Sequence, residues 1–203
     1  PPETNPITSD EKISTATGSI KILTVGRIAA YKGYSHLLDA LTLLPEAALT
    51  MVVSGSKAEF IALEKQIDAL GLNSRVSVKK NLSDTELWPH YRACDVFCLP
   101  STDKTEAFGM VLLEAQHFER PIVACDISGS GVPWVASKSP SFALAEPGNA
   151  RSLASSISGI VAQKGSMQTG SEIASNASLF SLKNQAERLI DIYHQASEDF
   201  YNG

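Results

Sequence analysis

Pro100-Ser101-Thr102-Asp103-Lys104-Thr105-Glu106-Ala107-Phe108-Gly109-Met110-Val111-Leu112-Leu113-Glu114 is the stretch on which the reading of this chain turns. The apolar run Val96 to Leu99 in front of it reads as a buried strand, closed by Pro100-Ser101. A polar loop carries Glu106, and a helical pattern opens at Gly109 with a second acid, Glu114, inside it. A strand-to-helix turn of this kind aims its first backbone N–H groups at whatever lies above the sheet. Gly109 has no Cβ and is expected to let that ligand approach closely. Glu106 precedes the helix and Glu114 follows Met110 by about one turn, so both are expected at one crevice. Acceptor carboxylates beside an anion-holding helix start suit a ligand with both hydroxyls and phosphate, such as a nucleotide sugar.

On either side of this stretch, strands and helices alternate. Ile20 to Val25 predicts a first strand ending at Gly26, and Ser35 to Leu44 spaces Leu37, Leu38, Leu41 and Leu44 as one helical face. Leu49 to Val53 is a second strand, and Ala58 to Leu70 a helix with Gly71 as its stop. Val76 to Val78 is a short third strand. Ser83 and Glu86 have capping-box spacing and open a helix to Ala93. After the fourth strand and the Gly109 to Phe118 helix come Ile122 to Cys125 and Phe142 to Leu144, then a helix over 150–161 capped by Asn149. Residues 165–170 read as a loop, with further helices at 171–177 and 181–200. The strands are short and apolar on both faces, which predicts a Rossmann-like α/β domain: a parallel sheet of about six strands with helices on both faces. Right-handed crossovers then gather every strand-to-helix loop at the carboxyl edge, where open α/β sheets bind ligands. The division expected is a polar linker over 1–18, the domain over 19–178 and a C-terminal helix over 179–203.

Hydrophobic residues make up 43 % of the 203, enough for a sizeable core. A net charge of -5 argues against a broad basic face for nucleic acid. Three cysteines, Cys94, Cys98 and Cys125, are unpaired by spacing and predict a reducing, cytoplasmic setting with core roles for the thiols. No apolar run reaches the ~18 residues of a membrane span.

The first strand runs into Gly26-Arg27-Ile28-Ala29-Ala30-Tyr31-Lys32-Gly33. Arg27 and Lys32 leave the carboxyl edge on one loop and together can neutralise a diphosphate. The alternative is a pair of solvated loop cations. Glu114 lies among Val111, Leu112 and Leu113, where an unpaired charge is costly, so it either meets a ligand or pairs with a core arginine. Glu106 is either a ligand contact or a surface acid. The histidines are scattered and no Asp-x-Asp occurs, so no metal site is expected. There is no Gly-x-Ser-x-Gly, no Walker loop and no Gly-x-Gly-x-x-Gly after the first strand. Gly129-Ser130-Gly131 reads as a tight turn at the ligand edge whose N–H groups can assist there.

In this order and spacing, the chain resembles the nucleotide-sugar-binding half of retaining glycosyltransferases of the GT-B fold, family four. The resemblance runs over about residues 19 to 162. It is carried by Val25-Gly26-Arg27 with Lys32-Gly33, by Gly55 after the second strand, by Ala93-Cys94-Asp95-Val96, by Pro100-Ser101, by Glu106 to Val111 with Glu114-Ala115, and by Pro121 to Ala124. Phe180-Ser181 to Tyr193 looks like the family's closing helix. The resemblance implies that Arg27 and Lys32 hold the donor diphosphate and that Glu106 binds hydroxyls of the reacting sugar. It implies that the N–H groups of Phe108, Gly109, Met110 and Val111 hold sugar or phosphate, and that Glu114 takes the ribose diol. Gly26 belongs to the same loop, and the base lies near Gly55, Lys80, Asn81 and Leu82. It implies transfer of a hexose to a glycan or glycolipid in cell-surface polysaccharide synthesis, with no metal or cofactor. An acceptor-binding half, which can make peripheral membrane contact, is expected to precede this one, leaving the present chain inactive alone. Two departures stand out: Gln116 to Arg120 replaces the family's small residues and Gly, and Ser128 to Trp134 replaces a Gly-Gly turn followed by an acid. The first is expected to shift the loop after the helix. A nucleotide-sugar epimerase or another GT-B enzyme, and a non-catalytic nucleotide-binding module, are the rival readings.

Overall fold

The computed structural model describes residues 19–163. The linker at 1–18, the boundary at 178, the helices at 171–177 and 181–200 and the terminal helix at 179–203 lie outside the described residues. Six parallel strands form one sheet in the order β3-β2-β1-β4-β5-β6. They are β1 (Ile20–Arg27), β2 (Ala47–Ser54), β3 (Val76–Lys80), β4 (Val96–Leu99), β5 (Ile122–Cys125) and β6 (Phe142–Ala145). The helices are α1 (Tyr34–Thr42), α2 (Lys57–Ala69), α3 (Asp84–Ala93), α4 (Met110–His117), α5 (Val132–Ala136) and α6 (Ala150–Ala162). β1 pairs with β2 from Ile20↔Ala47 to Arg27↔Ser54, and with β4 through Ile22↔Val96 and Leu23↔Phe97. The strand order reverses between β1 and β4, so the crevice of an open α/β sheet falls between the loops that leave these two strands.

Right-handed crossovers put α1 and α2 on one face and α3, α4 and α5 on the other. α6 returns to the first face and packs on α1. β4 and β5 are buried at every position, as strands covered on both faces must be. The caps form as the sequence reads: Ser83 with Glu86 makes a capping box at α3, and Asn149 accepts from the Ser152 N–H at α6. A ring cluster fixes α3 against α4. Tyr91 stacks on Phe118 at 5.3 Å between centroids and tilts against Phe97 at 5.5 Å.

Two features differ from expectation. α5 fills the stretch after Gly131, where only a turn is legible; Pro133 sits in its first turn, a position where its missing N–H costs nothing. The second is how α4 ends without a Gly. Glu119 takes the left-handed position itself, with φ 57°, and closes a Schellman motif: Glu119 N–H donates to Gln116 O (2.9 Å) and Arg120 N–H to Ala115 O (2.9 Å). The cost is that of a Cβ in left-handed backbone. Glu119→Gly is therefore expected to raise the unfolding free energy by about 0.5–1 kcal/mol, read by urea denaturation. A loss of stability would show that the Glu119 side chain contributes more than its backbone strain removes.

Candidate active site

The loop after β1 runs through a 3-10 turn, Ala30–Lys32, and stops at Gly33 with φ 65°. A Cβ there would lie 2.0 Å from Pro100 O, so only glycine lets the backbone after β1 pass this close to the end of β4. Thr102 N–H donates to Tyr31 O at 2.8 Å and stitches the two loops together. The seam decides where the cations go. Lys32, 7 % exposed, turns inward and places Nζ 2.5 Å from Glu106 Oε2. Ser101 Oγ donates to the same carboxylate oxygen at 3.0 Å. Arg27 instead stays exposed and reaches the Tyr31 hydroxyl at a long 3.5 Å. That hydroxyl, with the more distant carboxylates of Glu106 and Glu59, favours the charged guanidinium further. The two cations thus share a loop but differ in state, one buried in an ion pair and one open to solvent.

The backbone around Glu106 is held from beneath by the turn after β5. Ser130 Oγ donates to Glu106 O at 2.5 Å and accepts from Val132 N–H at 3.1 Å. Gly131 N–H donates to Ala107 O at 2.7 Å, so this N–H supports the loop and is not offered to a ligand. Gly109 also has a packing role. Its φ is 75°, and a Cβ would meet Leu99 Cδ2 at 2.9 Å and Leu112 Cδ1 at 3.1 Å. The press of the helix start onto β4 by itself requires glycine here. It caps α4 without a side chain, which leaves the first-turn amides of Met110 and Val111 to the crevice.

Glu114 is exposed, so it carries little burial cost, and among the described residues it pairs with no core arginine. Its Oε2 accepts from the buried Tyr91 hydroxyl at 2.8 Å, which leans the carboxylate towards α3. Burial, and then Glu114 itself, push the Tyr91 phenol far up, so it remains a donor. At the β3 end, Lys80 is turned away onto α2. Its Nζ meets Glu64 Oε1 at 2.7 Å and lies over the Phe60 ring at 4.8 Å. Asn81 is left-handed (φ 53°) and exposed, and Leu82 is half-buried. Gly55 is exposed before α2, whose first turn is closed by the Ser56–Glu59 capping box. The structure therefore brings Gly26, Lys32 and Glu106 together at the β1/β4 edge with Arg27 above them, and separates Lys80 from that group. Ser101, Ser130, Tyr91 and Tyr34 belong to the neighbourhood without having been singled out. Ser130 had a signal in the Gly-Ser-Gly turn and Ser101 in the Pro100-Ser101 strand end; the two tyrosines had none. A cleft of about 260 Å³ lies behind the β1 loop, between Ile28, Tyr34 and Glu59, and none of Lys32, Glu106 and Glu114 lines it. Among the described residues, no three His, Cys, Asp or Glu side chains gather to hold a metal, and no helix is long and apolar enough to cross a membrane.

The open six-stranded, Rossmann-like α/β sheet is the fold this chain shares with GT-B glycosyltransferases. The model for glycosyl transferases group 1 matches residues 7–178, and the chain belongs to that family. Mannosylfructose-phosphate synthase of Agrobacterium fabrum is 34% identical over 112 residues, which is 50% of this chain and 24% of the synthase. HepE of Anabaena, solved in complex with UDP-glucose, is 28% identical with a TM-score of 0.70, covering 85% of this chain and 49% of that one. The solved C-terminal domain of LpcC from Francisella tularensis, at 21% identity and a TM-score of 0.61, shares the fold over 79% of this chain and 83% of that domain. The chain thus spans half or less of the synthase and of HepE.

Lys32→Met would leave the Glu106 side chain, only 12 % exposed, without a cation. It is expected to lower the unfolding free energy by about 2–3 kcal/mol, and K32M/E106Q to regain about half of that. Urea denaturation of the three proteins reads this directly. Equal stability of K32M and wild type would show that the pair contributes nothing to the fold.

Proposed function

We propose that this chain is the donor-binding half of a retaining glycosyltransferase that moves a hexose from a nucleotide diphosphate sugar to a glycan or glycolipid in cell-surface polysaccharide synthesis. The setting is the cytoplasm, and an acceptor-binding half completes the enzyme. The observation that carries this reading is the cluster at the β1/β4 edge: the Lys32–Glu106 pair at 2.5 Å, solvent-facing Arg27, and an α4 start with no side-chain cap. The UDP-glucose complex of HepE supports the ligand class. Retention of anomeric configuration and the polysaccharide role rest on the family resemblance.

The chemistry follows from what each group can do. Departure of the nucleoside diphosphate builds negative charge on the leaving oxygen. Arg27 answers it with a planar guanidinium, Lys32 with a point charge, and the amides of Met110 and Val111 with the helix-start dipole. No metal is invoked, because two cations and a helix start already oppose that charge. Glu106 accepts from sugar hydroxyls, which fixes the ring while the anomeric carbon gains cationic character. Glu114 accepts from the ribose diol while Tyr91 holds it in place. To reach a phosphate, Lys32 must part from Glu106, so binding exchanges one ion pair for two sets of ligand contacts.

Isothermal titration with UDP, GDP, ADP and dTDP is expected to show binding of at least one, unchanged by EDTA. Arg27→Ala is expected to weaken that binding by about ten- to a hundredfold, as for a charge-assisted hydrogen bond. Silence with all four nucleotides would sink the reading; unchanged affinity in the variant would remove Arg27 from the site.

A further inference from the structure

Tyr34 opens α1 directly after Gly33 and is 5 % exposed. Its hydroxyl is sealed from solvent and has no hydrogen-bond partner among the described residues. The position of that oxygen is informative. A Cβ built on Gly26 would lie 2.9 Å from it and 3.3 Å from Lys32 Nζ, so phenol and ammonium flank the same glycine. Burial, and then the charge of Glu106, hold the phenol well above its ordinary pKa, so it stays a protonated donor.

A buried hydroxyl without a partner destabilises the folded chain, and phenylalanine would fill the same space without that penalty. The group has a use only in a state where a partner comes to it. Such a state is implied by the exchange described above. When Lys32 turns to a phosphate, Glu106 loses the cation that now sits on its Oε2 and keeps only Ser101 on that oxygen. Its other oxygen, Oε1, has no protein donor among the described residues. A carboxylate so enclosed needs a replacement donor.

We propose that Tyr34 is a positioning residue that donates its phenolic O–H to Glu106 when a pyrophosphate group draws Lys32 away, holding the carboxylate in line for the sugar hydroxyls. This rests on the donor-binding reading of the site. No proton is transferred: one ion pair opens, and one hydrogen bond from a neutral phenol forms.

The test uses the full-length protein with UDP, GDP, ADP and dTDP as probes. Tyr34→Phe is expected to be as stable as wild type or more so, because the free state loses no hydrogen bond. Its affinity for whichever diphosphate binds is expected to fall about tenfold. In a Glu106→Ala background the same substitution is expected to change affinity by less than about twofold, because its effect passes through that carboxylate. A second measurement needs no variant protein to bind: in wild type carrying carbon-13 at the tyrosine hydroxyl-bearing carbon, the Tyr34 resonance is expected to move when diphosphate is added. Wild-type affinity in Y34F, an undiminished effect in E106A, or a stationary resonance would each overturn the inference while leaving the donor site standing. If wild type binds none of the four nucleotides, the donor-binding reading fails and this inference falls with it.

Discussion

One close approach of backbone to backbone underlies the site: the left-handed Gly33 beside Pro100 O, sealed by the bond from Thr102 N–H to Tyr31 O. It joins the loop after β1 to the loop after β4, segments 74 positions apart at the bonded pair Lys32 and Glu106. With any Cβ at position 33 the loops would have to separate. The ion pair, which tolerates little change in length before its attraction falls below its desolvation cost, would separate with them. The parallel sheet makes the seam available. β1 and β4 are neighbours only because the chain reverses its direction of winding between them, and both strands end at the same edge.

A second set of bonds turns that seam into a rigid platform. The loop carrying Glu106 is held at its side chain by Lys32 and Ser101, and at its backbone by Ser130 and Gly131 from the turn after β5. The loops that leave the adjacent strands β1, β4 and β5 therefore share one hydrogen-bonded unit. Glu114 is fixed independently, through Tyr91, by the aromatic cluster that joins α3 to α4. The two acids are thus supported by different parts of the fold, one by the loops and one by packed helices. Groups held in this way are in position before a ligand arrives, and the ordering cost falls on folding instead of binding.

Much of this was legible in the sequence because it follows from local rules. β4 and β5 fall on the predicted residues, since continuous apolar runs of that length between turn signals have few other solutions. The Ser83–Glu86 and Asn149 caps form as read, because capping depends on residues only three apart. What was not legible depends on contacts distant in sequence. Gly109 is required by Leu99 and Leu112, a packing demand that the sequence does not show. Lys80 is captured by Glu64 and Phe60 of α2, which no motif announces. The burial of Lys32 could not be anticipated either, because a lysine in a polar loop ordinarily keeps its ammonium in water. Glu119 shows the reverse: the motif usually built on glycine forms regardless, because orphan carbonyls at a helix end need partners whatever the residue.

The pairing of Lys32 with Glu106 in the free chain also bears on selectivity. A ligand offering only phosphate would take Lys32 and leave an enclosed carboxylate without its cation. A ligand offering only hydroxyls would reach Glu106 with that carboxylate already saturated on one oxygen by Lys32 and Ser101. Phosphate alone must break the buried pair and satisfies one of its halves, while hydroxyls alone find only Oε1 open and gain nothing from Lys32; a stranded buried charge costs more than most single hydrogen bonds return. A ligand that carries phosphate and hydroxyls at a fixed separation satisfies both halves at once. On the proposed donor-binding reading, the ion pair would act as a filter against fragments of the donor, penalising least the ligand that presents both chemistries together. Arg27, exposed and outside the pair, would on that reading attract the ligand without taking part in the discrimination.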